Sequence, residues 1–478
     1  MIRLIDSRIH FLPINTRMPF RYGIATMTHL PVAFVFLKFR FGKDNADTQW
    51  GFASDLLPPR WFKKDPQQSP DAEIEEMKSV LQHALAAAAK LEAEIPFAFW
   101  DQLYRLQLEW AQGQQIPPLL ANFGTTFVER ALLDAFARFQ QKPFSQFLLT
   151  EKLKVELGPL HPELYGLSAA QLLPSAPLPR IQARHTVGFG DPLLEADISA
   201  EDRVADALPQ SLETAIQRYG LSQFKVKING RLPEDLARLQ ALTDIFARLC
   251  PSGYALSLDG NEQFESWSQF ADFWSAAQAQ PKLRPLLQNV RFIEQPLSRQ
   301  SALSSTQIGR LPDGSATPPV IIDESDDGPE TFRHAIDCGY RGVSHKNCKG
   351  IFKGIANRCL IEYRNQNSDT QLFMSGEDLC NIGPVSLQQD LAMQSLLGNA
   401  SVERNGHHYF YGLSQFPSSV QELLCERHPE LYQRDDAGTA TLQIAKGEIP
   451  TADLHQLPFA SGFSPQELAA SLGLPPLG

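Results

Sequence analysis

Eight short apolar runs, separated by amphipathic stretches, fill the chain from residue 181 to residue 402. Each run has the length of a buried strand, and a helix-length stretch joins most of them to the next. Strands joined by helices run parallel, so eight such units predict a closed (β/α) barrel of the triosephosphate-isomerase type. A doubly wound sheet would show a GxGxxG turn after a strand, and none follows these runs. The runs are Ile181–Val187, Phe224–Ile228, Tyr254–Leu258, Val290–Ile293, Val320–Ile322, Gly342–His345, Leu372–Met374 and Ser401–Val402.

The rest of the 478-residue chain predicts further structure, because a chain of this length exceeds one compact core. The N-terminal part contains a strand-like run at 32–40, a helical pattern over 71–94 and a capping box at Thr126 that predicts a second helix start. We therefore expect an α/β fold in three parts: an α+β capping domain over residues 1–180, the barrel over 181–430, and a C-terminal segment over 431–478 that packs on the capping domain.

The acidic charge balance limits the partners of this chain. The net charge is −11 and the isoelectric point is near 5.5, which disfavours binding to nucleic acids. No apolar run reaches the length of a membrane span, and the N-terminus lacks the apolar region of a signal peptide. We expect a cytoplasmic protein without a membrane partner. The six cysteines form no CxxC pair and have no zinc-site spacing.

Charged residues stand at the carboxyl ends of five successive runs, where the active sites of such barrels lie. In chain order they are Lys225 and Lys227, Asp259, Glu294, Asp323, and Lys346. Three carboxylates without histidine or cysteine suit a hard cation such as Mg²⁺. The two lysines of the second run point to the same face, because strand side chains alternate. Two neighbouring ammonium groups near a cation favour a depressed pKa for one of them, and hence a general base.

These motifs resemble the enolase superfamily, and most closely its muconate-lactonizing and mandelate-racemase-like branches. The segments that carry the resemblance are Lys225-Val226-Lys227, Leu258-Asp259-Gly260-Asn261, Ile293-Glu294-Gln295-Pro296 and Ile322-Asp323-Glu324-Ser325. The segment 18–23, which includes Tyr22, looks like the N-terminal loop of the superfamily's capping domain. The resemblance extends over nearly the whole chain.

The resemblance implies an enzyme that removes the proton α to a substrate carboxylate through an enediolate, with Mg²⁺ as cofactor and Mn²⁺ as a substitute. It implies three metal ligands, which are Asp259, Glu294 and Asp323. It also implies that Lys227 is the base on one face of the substrate, with Lys225 in support. A lysine of the sixth run then acts on the opposite face. We expect a small carboxylic acid as substrate and a homo-oligomeric protein.

The sixth run departs from the superfamily pattern, which has a lysine followed several residues later by a glycine pair. Lys346 is the preferred second base, but Lys349 and His345 remain alternatives. Further candidates for substrate contact are Tyr22, Asn261, Glu377, Glu403 and His407. For His407 and its neighbour His408, packing within a loop is an equally good interpretation.

The fold does not choose among reactions that share this proton abstraction. Lysines on opposite sides of a substrate favour a racemase, an epimerase or a cycloisomerase. A sugar-acid dehydratase is the first alternative, because the polar segment 403–408 suits a hydroxylated substrate. A catalytically silent member that binds a metal or a partner is the second alternative, and it predicts bound Mg²⁺ without proton exchange.

Overall fold

A computed structural model of the chain describes residues 1–22, 25–42, 47–304 and 317–478. The N-terminal part is a three-stranded antiparallel sheet in the order β1-β2-β3, covered by helices. Its elements are β1 (Arg3–Tyr22), β2 (Ala25–Arg40), β3 (Thr48–Leu56), α1 (Pro70–Ala88), α2 (Pro96–Gly113), α3 (Pro118–Phe139), α4 (Phe144–Leu149) and α5 (Ala169–Leu172). Strand β2 contains the predicted run at 32–40, and α1 corresponds to the predicted helix over 71–94.

Helix α3 is the centre of this part, packing on β2 and β3 and against α1 and α2. It begins at Pro118, so the predicted helix start at Thr126 is wrong. The Thr126 hydroxyl donates to the carbonyl of Phe123 at 2.8 Å inside the helix, which is how a buried threonine satisfies its hydroxyl without a cap. Helix α2 has no counterpart among the predicted elements, although its buried Phe97, Trp100 and Leu103 lie on one face.

The predicted barrel is confirmed, and each of its strands overlaps one of the predicted runs. Its parallel strands pair in sequence order, and β11 pairs with β4 to close the circle. The strands are β4 (Arg180–Val187), β5 (Gln223–Lys227), β6 (Ala255–Asp259), β7 (Val290–Glu294), β8 (Val320–Ile322), β9 (Gly342–His345), β10 (Phe373–Gly376) and β11 (Ser401–Arg404). Paired residues at the carboxyl ends include Lys227 with Asp259, and Asp259 with Glu294.

Helices connect most of the barrel strands and surround them. They are α6 (Leu212–Tyr219), α7 (Leu232–Leu249), α8 (Trp267–Gln278), α9 (Arg284–Leu287), α10 (Thr331–Asp337), α11 (Ile351–Asn367), α12 (Ser386–Leu396) and α13 (Gly406–Tyr409). Short 3-10 helices lie at Pro162–Leu164, Glu195–Asp197, Pro281–Leu283, Asn347–Lys349 and Ala452–Gln456. Within the described ranges, no helix combines the length and the apolar character needed to cross a membrane.

The C-terminal elements contact both the barrel and the N-terminal part. They are α14 (Ser418–Arg427), β12 (Tyr432–Arg434), β13 (Ala440–Leu442), β14 (Glu448–Pro450) and α15 (Pro465–Ser471). Strand β14 pairs antiparallel with β4 of the barrel. Phe463 stacks on Phe52 of β3, with ring centroids 5.8 Å apart, and the Trp50 indole donates to the Gly478 carbonyl at 2.8 Å.

Candidate active site

The carboxyl ends of the barrel strands and part of the N-terminal sheet line a cavity, called here the catalytic cavity. The N-terminal part provides an apolar wall made of Phe20, Met27, Pro58 and Trp61. The barrel provides a mostly polar floor made of Lys225, Lys227, Asn261, Lys346, Asp378, Leu379, Cys380, Glu403 and Asn405. Charged groups from opposite sides of the barrel therefore face one cavity.

Lys225 lies at the centre of a buried carboxylate cluster. Its Nζ is 2.9 Å from both Asp259 Oδ2 and Glu294 Oε1. It also donates to Glu377 Oε2 at 2.7 Å and to Glu403 Oε2 at 3.0 Å. Burial lowers the pKa of Lys225, but the surrounding carboxylates outweigh burial and hold this pKa well above its usual value. The predicted depression of a lysine pKa therefore does not hold for Lys225.

Lys227 follows two residues later on the same strand and faces the same side. Its Nζ donates to Asp259 Oδ2 at 2.6 Å, so two ammonium groups share one carboxylate oxygen. Burial raises the pKa of Asp259, but the charges of Lys225 and Lys227 outweigh burial and lower it overall. Asp259 is therefore held as a carboxylate between the two lysines.

Lys346 reaches the catalytic cavity from the sixth barrel strand. Its Nζ donates to Asp323 Oδ2 at 2.7 Å and lies 4.4 Å from the ring centroid of Trp61 in the apolar wall. Burial lowers the pKa of Lys346, but Asp323 outweighs it and raises this pKa overall. The ammonium group thus lies between a carboxylate and an aromatic face, two environments that stabilise a positive charge.

The two alternatives to Lys346 have other surroundings. Lys349 Nζ donates to the carbonyls of Asp323 at 3.0 Å and of Ser344 at 2.9 Å, and it lies 3.0 Å from Asp326 Oδ2. It does not line the catalytic cavity. His345 points to the opposite side of its strand, where its ring lies against Gly354 of α11. Burial lowers the pKa of His345 to about 4, so it is neutral near pH 7.

One carboxylate oxygen of Glu294 lacks a hydrogen-bond partner among the described residues. Its Oε2 is buried without a partner in the described part of the chain. Burial first, and then the charges of Asp259 and Glu377, raise its pKa well above the usual value. A divalent cation would give this oxygen a partner and would offset the repulsion between the carboxylates. The donor set of Asp259, Glu294 and Asp323 therefore fits a hard cation by its chemistry.

In the structure, lysine ammonium groups contact the carboxylates of Asp259, Glu294 and Asp323. Lys225 bridges Asp259 and Glu294, while Lys346 binds Asp323. In this arrangement, no three His, Cys, Asp or Glu side chains of the described residues are grouped so that they could hold a metal ion. Joint binding of one cation by the three carboxylates stays a prediction, and it requires the ammonium groups to move aside.

Two of the predicted substrate contacts line the catalytic cavity. Asn261 lines it, and its Nδ2 donates to Glu324 Oε1 at 3.3 Å. Glu403 also lines it and accepts from the Thr186 hydroxyl at 2.6 Å. Glu377 does not line the cavity, because its carboxylate is engaged by Lys225 and Arg184 inside the barrel.

Of the other two predicted contacts, His407 lies elsewhere and the Tyr22 side chain is not described. His407 packs edge-on against Tyr219, with ring centroids 5.2 Å apart, and its Nε2 lies 3.2 Å from Nδ1 of His185. Burial holds the pKa of His407 well below its usual value. The structure therefore places His407 in internal packing beside a different cavity. The side chain of Tyr22 lies outside the described part of the chain.

Several residues of the site were not predicted. Met27 belongs to β2, so only the fold brings it over the strand ends, whereas Phe20 lies in the segment 18–23 that resembles a capping-domain loop and belongs here to β1. Asp378 accepts from the backbone N–H of Asn381 at 2.8 Å, and burial raises its pKa to about 7. Arg184, inside the barrel on β4, ion-pairs with Glu377. An arginine within a strand buried in the barrel was the available signal for this last residue.

Comparison with known proteins gives the same fold. The family described as enolase C-terminal domain-like matches residues 207–422. No curated protein matches the chain. Among solved structures, 2-chloromuconate cycloisomerase from Rhodococcus opacus 1CP is 16% identical with a TM-score of 0.58, over 98% of this chain and 99% of that chain.

Two further solved structures are similar over nearly their full length. An enolase from Bradyrhizobium, complexed with magnesium and mandelic acid, is 12% identical with a TM-score of 0.57, over 98% of each chain. The L-Ala-D/L-Glu epimerase from Bacillus subtilis is 14% identical with a TM-score of 0.55, over 94% of this chain and 99% of that chain. Residues 207–422 of this chain are thus similar to the enolase C-terminal domain-like family, and the whole chain shares the fold of these solved structures.

Proposed function

We propose that this protein is an enzyme of the isomerase or lyase kind that removes the proton α to the carboxylate of a small organic acid. The observation that carries the proposal is that Lys227 and Lys346 line one cavity. They come from β5 and β9, the second and sixth of eight barrel strands, which lie across the barrel from each other. Two potential bases therefore approach a bound substrate from opposite sides.

The reaction we favour is racemisation, epimerisation or cycloisomerisation. A lysine that has given up its proton takes the α-proton from one face, and the opposite ammonium group delivers a proton to the other face. Lys225 remains an ammonium group beside them, where its charge stabilises a substrate carboxylate that gains negative charge. The apolar wall of Phe20, Met27 and Trp61 is unsuited to a polyhydroxylated sugar acid, so dehydration of such acids is less well supported.

The residues that would hold a Mg²⁺ ion are Asp259, Glu294 and Asp323. When bound, such a cation supplies positive charge for the carboxylate oxygens of the substrate. The lysines that now neutralise these carboxylates would be released from them. Lys227 donates to Asp259 and Lys346 donates to Asp323, so the two lysines that would act on the substrate lie directly beside the residues that would hold the cation.

The test is hydrogen exchange in D₂O with a panel of α-substituted carboxylic acids, in the presence of Mg²⁺ or of EDTA. We expect deuterium at the α-carbon of at least one acid, detected by mass spectrometry, and its loss with EDTA. The double variant Lys227→Ala/Lys346→Ala should incorporate none. The matched control Lys152→Ala, at an exposed lysine, should exchange like the wild type. Bound Mg²⁺ without exchange of any acid would contradict the proposal and support a catalytically silent protein.

A further inference from the structure

A second cavity lies between the carboxyl end of the barrel and the β12–β13 hairpin. Here it is called the hairpin cavity. Polar residues around it include Asn381, Arg404, His407 and Tyr432. None of them lines the catalytic cavity. The proton chemistry proposed above makes no use of this space.

Four residues around the hairpin cavity carry buried polar atoms that have no hydrogen-bond partner within the described ranges. These atoms are Asn381 Oδ1, Arg404 Nε and Nη1, His407 Nδ1 and the Tyr432 hydroxyl. Each of the four residues is at most 9% exposed. Buried polar groups in folded proteins are nearly always hydrogen-bonded, because an unpaired group has lost its bonds to water without replacement. Unpaired groups that gather around one cavity therefore indicate an occupant with complementary polar atoms.

The position of the Tyr432 hydroxyl supports this interpretation. A methyl group placed on Gly383 would come within 2.4 Å of the Tyr432 oxygen. The hydroxyl thus lies against a glycine that itself lines the hairpin cavity. Its pKa is raised by burial, so the group is a neutral phenol that can donate a hydrogen bond.

The charges around the hairpin cavity are already balanced. Arg404 Nη2 is bound by the Asp390 carboxylate, and Arg404 Nη1 lies 3.7 Å from Asp378 Oδ1. His407 is neutral because burial holds its pKa well below the usual value. An additional negative charge would find no unmatched positive charge here and would be repelled by the two aspartates. The chemistry of the cavity therefore favours an uncharged ligand.

The remaining walls are apolar. Leu208, Ile382, Leu387, Leu413 and Leu442 surround the polar group of atoms. Water molecules alone could satisfy the polar atoms, but they would be placed against these aliphatic side chains at a cost in free energy. We propose that the hairpin cavity is a binding site for an uncharged, amphipathic small molecule with an apolar body and one hydroxyl or carbonyl group.

Phenol, benzene and benzoate form a probe series that tests this ligand class. We expect titration calorimetry with the full-length protein to show one phenol bound per chain, with weaker binding of benzene and of benzoate. Tyr432→Phe should weaken phenol binding about three- to tenfold, the value of one hydrogen bond. Leu442→Phe, which fills the space, should abolish it. Thermal melts of each variant show that it is folded.

Two control variants locate the bound phenol. Tyr411→Phe removes a hydroxyl that donates to Asp435 Oδ2 at 2.6 Å outside the hairpin cavity, and it should leave phenol affinity unchanged. Met27→Trp fills the catalytic cavity and should also leave it unchanged. The proposal is overturned if wild type binds no phenol, if Met27→Trp, in which the catalytic cavity is filled, binds benzoate as tightly as phenol, or if Leu442→Phe does not weaken binding. Because these outcomes involve binding alone, they are independent of the proposed proton chemistry.

Discussion

Lys349 and Lys346 are three residues apart and have different environments. Lys346 is next to Trp61 on the wall of the catalytic cavity. Lys349 is 1% exposed and binds two backbone carbonyls and Asp326 below the cavity floor. Its contacts connect the ends of β8 and β9, the strands before Asp323 and Lys346. We infer that Lys349 positions these two residues and does not itself contact substrate.

Lys349→Met tests this structural role. The variant keeps the length and volume of the side chain but leaves the Asp326 carboxylate and two carbonyl groups with fewer partners. Loss of one member of a buried ion pair costs about 3–5 kcal/mol, so the melting temperature should fall by several degrees. Thermal melts followed by circular dichroism measure this change, with the exposed Lys152→Met as control. An unchanged melting temperature would show that Lys349 does not contribute to the stability of the fold.

At the scale of elements, a glutamate of α3 holds the start of barrel helix α11. Glu129 accepts from the backbone N–H groups of Ile351 at 3.0 Å and Phe352 at 2.7 Å. These groups lie in the first turn of α11, where helix N–H groups lack partners within the helix. Burial raises the pKa of Glu129 to about 7, although the two N–H groups act to lower it.

This raised pKa makes a prediction about pH and stability. The folded protein keeps a proton on Glu129 up to about pH 7, whereas the unfolded chain loses it near its ordinary value of 4.5. The contribution of Glu129 to stability is therefore present below pH 4.5 and decreases as the pH rises towards 7. The melting temperature of wild type minus that of Glu129→Gln should fall between pH 5 and 7, as measured by calorimetry. A difference that rises with pH would mean that the helix N–H groups outweigh burial.

The elements differ in how far they could be predicted from the sequence. Barrel strands are short apolar runs bounded by polar ends, and this local pattern was sufficient to find all eight. Helix α3 is buried on all sides, so a polar threonine within it was interpreted as its start. Strand β14 pairs with β4 more than 260 residues away in the chain, since Glu448 lies opposite Gln182. Pairing over such a distance leaves no local signal.

At the scale of the whole molecule, the catalytic cavity is completed by the N-terminal part of the chain. Arg299, in the loop after β7, donates to the carbonyls of Trp61 at 2.8 Å and of Phe62 at 2.9 Å. The same guanidinium group binds both carboxylate oxygens of Glu262. This connection fixes the indole of Trp61 over Lys346. The domain boundaries near residues 180 and 430 stay predictions.

The same distinction applies to the site. Charged residues at the strand ends were predictable, because side chains that end parallel strands meet at one face of a barrel. The contacts of these and nearby residues were not predictable. The choice between Lys346 and Lys349 depends on the 3-10 turn at Asn347–Lys349. The position of His407 depends on how α13 packs against His185. Such turns and contacts arise from tertiary packing and not from local sequence periodicity.

The central claim is that Lys227 and Lys346 exchange the α-proton from opposite faces, and single variants measure it directly. With both enantiomers of an active acid in D₂O, Lys227→Ala should abolish α-exchange of one enantiomer and retain exchange of the other. Lys346→Ala should show the reverse, and Lys152→Ala should exchange both. The result that would contradict the account is full exchange of both enantiomers by Lys346→Ala together with none by Lys227→Ala, because a single base would then do all the chemistry.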